Sequence, residues 1–134
     1  MSDPEPRAPR PRDGGKGLVL IAEDEPDIRE LAALVLERAG YATISVGDGQ
    51  SALEAARIRR PALCFLDVMM PRLNGFEVLR GLRADPQTAP IKVILCTATI
   101  QDERELREGG PDADGYLRKP FTPSELSEQV AALV

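Results

Sequence analysis

Five polar residues in a chain without histidine stand where side chains do chemistry: Glu23 and Asp24 follow the apolar run at 18–22, Asp67 follows that at 62–66, Thr97 follows that at 91–96, and Lys119 follows the short run at 115–118. If the first and third of these runs are neighbouring strands, the carboxylates of Asp24 and Asp67 converge and repel, and each is pushed toward its protonated form unless a cation lies between them. Hard oxygen donors without His or Cys suit Mg²⁺, which keeps several waters and accepts phosphate oxygens as further ligands. A carboxylate can itself attack phosphorus when the charge on the transferring group is neutralised from several sides. Lys119 offers a point charge for that purpose and Thr97 a hydroxyl donor. These residue types therefore describe a site for Mg²⁺ and a phosphoryl group. The missing histidine excludes His-based nucleophilic triads, imidazole metal sites and phosphohistidine within the chain, so any phosphohistidine donor is another molecule.

The elements that must position these groups follow from the pattern around Asp67. Ala62-Leu63-Cys64-Phe65-Leu66 is uninterrupted apolar sequence between Pro61 and a loop closed by Pro71, Asn74 and Gly75. Such a run fits a strand buried on both faces, hence a parallel sheet covered by helices. In open sheets of that kind the ligand crevice lies outside the carboxyl ends of the strands, which is where Asp67 falls. Ahead of it, residues 18–22 read as a first strand, and Pro26 opens a helix whose stripe is Ile28, Leu31, Ala32, Val35 and Ala39, ended by Gly40. Residues 41–46 read as a second strand, followed by the turn Gly47-Asp48-Gly49 and a helix from about 50 to 60. Beyond Asp67, Gly75 begins a helix bearing Phe76, Val78, Leu79 and Leu82, which ends at Asp85-Pro86. A strand at 91–96 comes next, then a short helix at 101–108 that Gly109-Gly110-Pro111 stops, marginal in length and expected to be mobile. Residues 115–118 form a fifth strand, and Thr122-Pro123-Ser124-Glu125 is a capping box for a last helix with Leu126, Val130 and Leu133 on one face. Five alternations predict an α/β, doubly wound five-stranded parallel sheet with helices on both faces and right-handed crossovers.

Composition bounds the rest. With 134 residues and 43% hydrophobic content, one domain is the expectation. Residues 1–16 carry four prolines, Gly14-Gly15 and mixed charges, and read as a disordered tail, with a partner-docking arm as the alternative; the folded unit is 17–134. The net charge of −5 argues against nucleic acid as the main ligand, and Arg57, Arg59 and Arg60 read as a solvated helix end. Cys64 and Cys96 fall inside strands without metal-ligand spacing and read as buried hydrophobes in a reducing compartment. Neither a membrane-spanning run nor a charged-then-apolar leader is present, which points to the cytoplasm.

Taken singly, a strand-end Asp makes Asx turns, a strand-end Lys is solvated, a strand-end Thr caps a helix, Tyr116 packs, and Met69-Met70 covers a loop. The combination carries more than its members. The stretches LVLIAEDEPDIRE, LDVMMPRLNGFEVL, VILCTAT and DGYLRKPF, in that order from about Gly17 to Val134, resemble the receiver domain of the two-component response regulator family. That resemblance implies the flavodoxin-like strand order 2-1-3-4-5. It makes Asp67 the phosphoacceptor and Glu23 and Asp24 the acidic pocket, with the Met69 main-chain carbonyl as a further Mg²⁺ ligand. Thr97 and Lys119 contact the phosphoryl group, Tyr116 is the switch aromatic, and Lys119-Pro120 is cis. The chain departs from the family at Glu23, where Asp is commoner, which implies ligation through water, and at Gly109-Gly110-Pro111, which leaves the preceding helix partly unfolded until phosphate or a partner orders it. It also stops after the last helix, so no output domain is expected to follow.

The function implied is a phosphoacceptor response regulator that takes a phosphoryl group from a sensor histidine kinase or a histidine phosphotransfer protein and signals by binding a downstream protein, without direct nucleic-acid contact or membrane insertion. The alternatives are a phosphorelay intermediate, a receiver fragment of a larger regulator, an unphosphorylated scaffold, or a phosphatase of haloacid-dehalogenase type. The phosphatase wants a second Asp two residues after the first, where Met69 stands, so turnover is disfavoured. Self-phosphorylation and slow self-dephosphorylation are the only catalysis expected, since Met69 and Thr99 bring no amide or acid to orient water.

Overall fold

The structure, a computed structural model, describes residues 15–98 and 113–134. Strands β1 (Leu18–Ala22), β2 (Ala42–Val46), β3 (Leu63–Asp67), β4 (Lys92–Thr97) and β5 (Gly115–Arg118) alternate with helices α1 (Pro26–Arg38), α2 (Gly49–Arg59), α3 (Gly75–Ala84) and α4 (Pro123–Leu133). The helix expected at 101–108, its Gly-Gly-Pro stop, Thr99 and nearly all of the N-terminal tail lie outside the described residues. All pairings are parallel, and the order is β2-β1-β3-β4-β5, as expected. All five residues of central β3 are buried, in keeping with its unbroken apolar sequence.

Alternate residues of each strand feed two cores. Leu20, Ala22, Cys64, Leu66, Val93 and Leu95 face α2 and α3, while Val19, Ile21, Leu63, Phe65, Ile94 and Cys96 face α1 and α4. The two cysteines are thus free, buried and on opposite faces, with both thiols pushed up to about 12 by burial. The buried face of α1 differs from the stripe read off the sequence. Ala32 and Leu36 are buried, Val35 and Ala39 pack against them, and Leu31 is 43% exposed.

Caps fix the helix starts near the strand ends. Asn74 and Glu77 exchange hydrogen bonds of 2.8 and 2.9 Å at the head of α3, and Thr122 and Glu125 do the same at 3.0 and 2.8 Å at the head of α4. Past α1, Gly40 takes φ +106°, a conformation that favours glycine, and the chain turns into β2. At the amino ends of the strands, Arg83 donates to the carbonyls of Ala89 and Ile91 at 2.9 and 2.7 Å and to Asp114 Oδ2 at 2.8 Å. Asp114 Oδ2 also accepts from Val93 N–H at 2.8 Å, so one ion pair ties α3 to the entries of β4 and β5. No helix among the described residues is long and apolar enough to cross a membrane.

Candidate functional site at the carboxyl ends of the strands

Register and side-chain parity bring the acids together. Val19 pairs with Leu63 and Ile21 with Phe65, so the next residues in this row, on the face covered by α1, are Glu23 and Asp67. Glu23 is fully buried and Asp67 is 3% exposed, whereas Asp24 is exposed. One carboxylate oxygen from each of the three lies within 4.8 Å of the others. The expectation that sets Asp24 against Asp67 is met only in part: the period of two in β1 turns Glu23 inward beside Asp67, and Asp24 joins them from an exposed position.

Lys119 enters between the two buried acids. Its Nζ lies 3.1 Å from Asp67 Oδ2 and 3.0 Å from Glu23 Oε1, and the Lys119-Pro120 bond is cis. The cation required between converging carboxylates is therefore already supplied by this chain. The contact with Asp67 is a hydrogen bond, whereas that with Glu23 is an ion pair not aligned as one, so Glu23 Oε1 keeps an open lone pair. Glu23 Oε2 accepts from Glu25 N–H at 3.1 Å. Burial is the main cause that pushes the Glu23 carboxyl up to about 7, against the opposing pull of the Glu25 N–H and of Lys119. Burial alone would lower the Lys119 ammonium, but the Glu23 and Asp67 carboxylates outweigh it and raise it above its usual range.

Asp67 is set by the loop beyond it. Its Oδ1 accepts from Met69 N–H at 3.3 Å, Val68 N–H donates to the Cys96 carbonyl at 2.9 Å, and Gly75 N–H donates to the Val68 carbonyl at 3.0 Å. A Cβ on Gly75 would stand 2.5 Å from the Asp67 carbonyl oxygen, so only glycine lets α3 begin there. The Met69 side chain is exposed while Met70 is buried.

Thr97 ends β4 fully buried, and its Oγ1 has no hydrogen-bond partner. Glu23 Oε1 and Thr97 Oγ1 are the two buried side-chain oxygens without a hydrogen bond among the described residues, and they stand at the carboxyl ends of β1 and β4, on either side of Asp67. A buried polar atom without a hydrogen bond is costly, which makes both atoms candidate ligand contacts, Glu23 Oε1 beside its ion pair with Lys119. Tyr116 pairs with Leu95 across β4 and β5, and its half-buried side chain packs on the α2 and α3 side. Sequence reasoning missed Arg29, whose Nη1 donates to the Glu23 carbonyl at 2.8 Å; a lone cation on an amphipathic helix gives no periodic signal.

The donor set fits Mg²⁺. Three carboxylates converge, one presents a buried open lone pair, and every candidate ligand is oxygen. The arrangement can hold a divalent ion against one side of a phosphoryl group while Lys119 and Thr97 take the others.

Comparison with known proteins agrees with this architecture. Residues 19–131 match the response regulator receiver domain family. The DNA-binding response regulator MtrA of Mycolicibacterium smegmatis is 40% identical over 114 residues, 85% of this chain and 49% of that protein. The chain thus spans about half the length of the curated relatives it matches, and their DNA-binding character lends no support to an exclusion of nucleic acid. Among solved structures, the signal receiver domain of a histidine kinase from Syntrophus aciditrophicus superposes with a TM-score of 0.80 at 33% identity, covering 87% of this chain and 89% of that one. The receiver domain of sensor histidine kinase PA1611 from Pseudomonas aeruginosa, described with magnesium coordinated in its active-site cleft, gives 0.80 at 28% identity, covering 87% and 96%. The order of strands, the acids at their carboxyl ends and the extent of these matches together establish that this chain belongs to the receiver domain family of two-component response regulators.

Proposed function

We propose that residues 17–134 form a phosphoacceptor unit that works in the cytoplasm, takes a phosphoryl group onto Asp67 from the phosphohistidine of a sensor kinase or phosphotransfer protein, and signals by binding a downstream protein. The observation that carries this reading is the pair of buried oxygens without a hydrogen bond, Glu23 Oε1, ion-paired to Lys119, and Thr97 Oγ1, flanking the strand that ends in Asp67. An Asp67 carboxylate oxygen attacks phosphorus, the P–N bond to the donor imidazole breaks, and the electron pair stays on the ring nitrogen. Glu23, Asp24, Asp67 and the Met69 main-chain carbonyl would hold Mg²⁺, which neutralises charge on the phosphoryl oxygens. Lys119, already 3.1 Å from Asp67, turns its ammonium to another phosphoryl oxygen, and Thr97 donates its hydroxyl to a third.

Thr97 and Leu95 lie on one side of β4, and Tyr116 pairs with Leu95, so movement of Thr97 toward the phosphate opens space on the side where Tyr116 packs. That supports Tyr116 as the switch. The donor's approach is supported by an apolar recess beside Lys119, lined by Ile28, Leu31, Ala98, Pro120 and Phe121, with the exposed acids Asp24, Asp27 and Glu30 on the same stretch of chain as Ile28 and Leu31. It fits a histidine-bearing helix with an apolar stripe and basic neighbours.

Incubation with Mg²⁺ and acetyl phosphate, followed by intact mass measurement, tests the reading. One added phosphoryl group that Asp67→Asn abolishes is the expected result; an unmodified wild-type chain, or added mass on Asp67→Asn, would overturn it.

A further inference from the structure

Glu23 is held from three directions before any ligand arrives. Its N–H donates to the Val46 carbonyl at 3.1 Å, its Oε2 accepts from Glu25 N–H at 3.1 Å, and its carbonyl accepts from Arg29 Nη1 at 2.8 Å. Only Oε1 lacks a hydrogen bond, and it faces the Lys119 ammonium 3.0 Å away. Two of these attachments come from main chain next to Glu23 in the sheet or in sequence, but the third comes from a side chain on α1. Helical side chains slant toward the N-terminus, so the Arg29 guanidinium reaches back over the β1–α1 connection. There it lies against Gly47, the residue after β2, where an added Cβ would stand 3.0 Å from Nη1. Gly47 leaves the space that the guanidinium fills. Arg29 is half-buried and, among the described residues, forms no ion pair, so its charge is directed at main chain although Glu25, Asp27 and Glu30 stand close to it in sequence.

We infer that Arg29 is a positioning residue for the metal pocket: wedged against Gly47, it grips the Glu23 carbonyl and so sets the direction in which Glu23 and Asp24 present their carboxylates. The inference rests on the Mg²⁺ reading above. The carbonyl bond fixes the backbone torsions between Glu23 and Asp24; without it the connection is free to rotate, and the ligand oxygens lose their common focus. Outer partners of this kind typically change metal affinity 10- to 100-fold.

The test is calorimetric titration of Mg²⁺ into the full chain, with melting in chelator measured alongside. Arg29→Ala is expected to bind about tenfold more weakly than wild type, with partial recovery in Arg29→Lys, which restores one cationic donor. Gly47→Ala keeps every charge but takes the guanidinium's place, and is expected to weaken binding severalfold while the metal-free melting temperature stays near that of wild type. It carries the test if Arg29→Ala does not fold. Because both changes break one contact, the double variant is expected to bind no more weakly than Arg29→Ala. Wild-type affinity in both single variants, or losses that add in the double variant, would overturn the role of Arg29. A wild-type chain that binds no Mg²⁺ would instead sink the metal reading and this inference with it.

Discussion

Arg83 and Lys119 are both partly buried cations, 24% and 23% exposed, and each is paired with acids distant in sequence, one at the amino ends of the strands and one at the carboxyl ends. Burial does not separate them; completion does. Around Arg83 each partner named above is used: two carbonyls accept from it, and Asp114 Oδ2 is shared with Val93 N–H. Around Lys119 a carboxylate oxygen and a hydroxyl remain without hydrogen-bond partners, and the Glu23 carboxyl is held near 7. The first cluster is finished at folding and holds three elements together. The second is left incomplete at a cost in stability, which is the mark of a site that a ligand completes.

That contrast can be broken by experiment. The largest expected effect is at Lys119: its replacement by Ala slows phosphoryl uptake from acetyl phosphate about 100-fold, measured as the initial rate of mass gain, with circular dichroism unchanged. A wild-type rate would mean that this cation is as structural as Arg83. Next, Arg83→Met costs about 2 kcal/mol in urea denaturation, through lost charge-assisted bonds and stranded carbonyls, and leaves uptake by the folded protein unchanged; slower uptake would show that the two ends are coupled. Thr97→Val should act in the opposite sense, stabilising the metal-free chain by about 1 kcal/mol as an unpaired buried hydroxyl is removed, while uptake falls. A less stable variant would show that the hydroxyl already has a partner.

A further contrast concerns pH. The folded Glu23 carboxyl is raised from its usual 4.5 to about 7. Between those values the unfolded chain has released a proton that the folded chain retains, so metal-free stability falls as pH rises from about 4.5 to about 7 and levels off above. Glu23→Gln should flatten that slope in chelator. A slope of the same size in the variant would assign it elsewhere.

The fold was legible because each level of the sequence agreed: unbroken apolar strands, turn residues between them, and helices with caps at the positions the structure uses. Strand bounds were off by no more than about a residue, within the ambiguity of any assignment. The stripe on α1 took in Leu31 and passed over Leu36 although Ala32, Val35, Leu36 and Ala39 fall at i, i+3, i+4 and i+7, because this helix also carries apolar side chains, Leu31 and Leu34, on exposed positions and so offers more than one stripe. The site was legible as a set of residue types at strand ends. The partnership of Lys119 with Glu23 was not, because it depends on how the chain turns after β5 and on the reach of a glutamate. Arg29 was invisible for a similar reason, since its partner is a carbonyl, which every residue has.

The contact of Gly75 with the Asp67 carbonyl has a consequence for anyone who recombines such domains. The connection from β3 to α3 works as a hasp of fixed length, shut by the Gly75 to Val68 hydrogen bond, so an inserted or deleted residue between them would shift the reactive carboxylate and the helix together. Chimeras spliced inside that connection should lose phosphoryl acceptance, whereas those joined after Ala84 keep it whole.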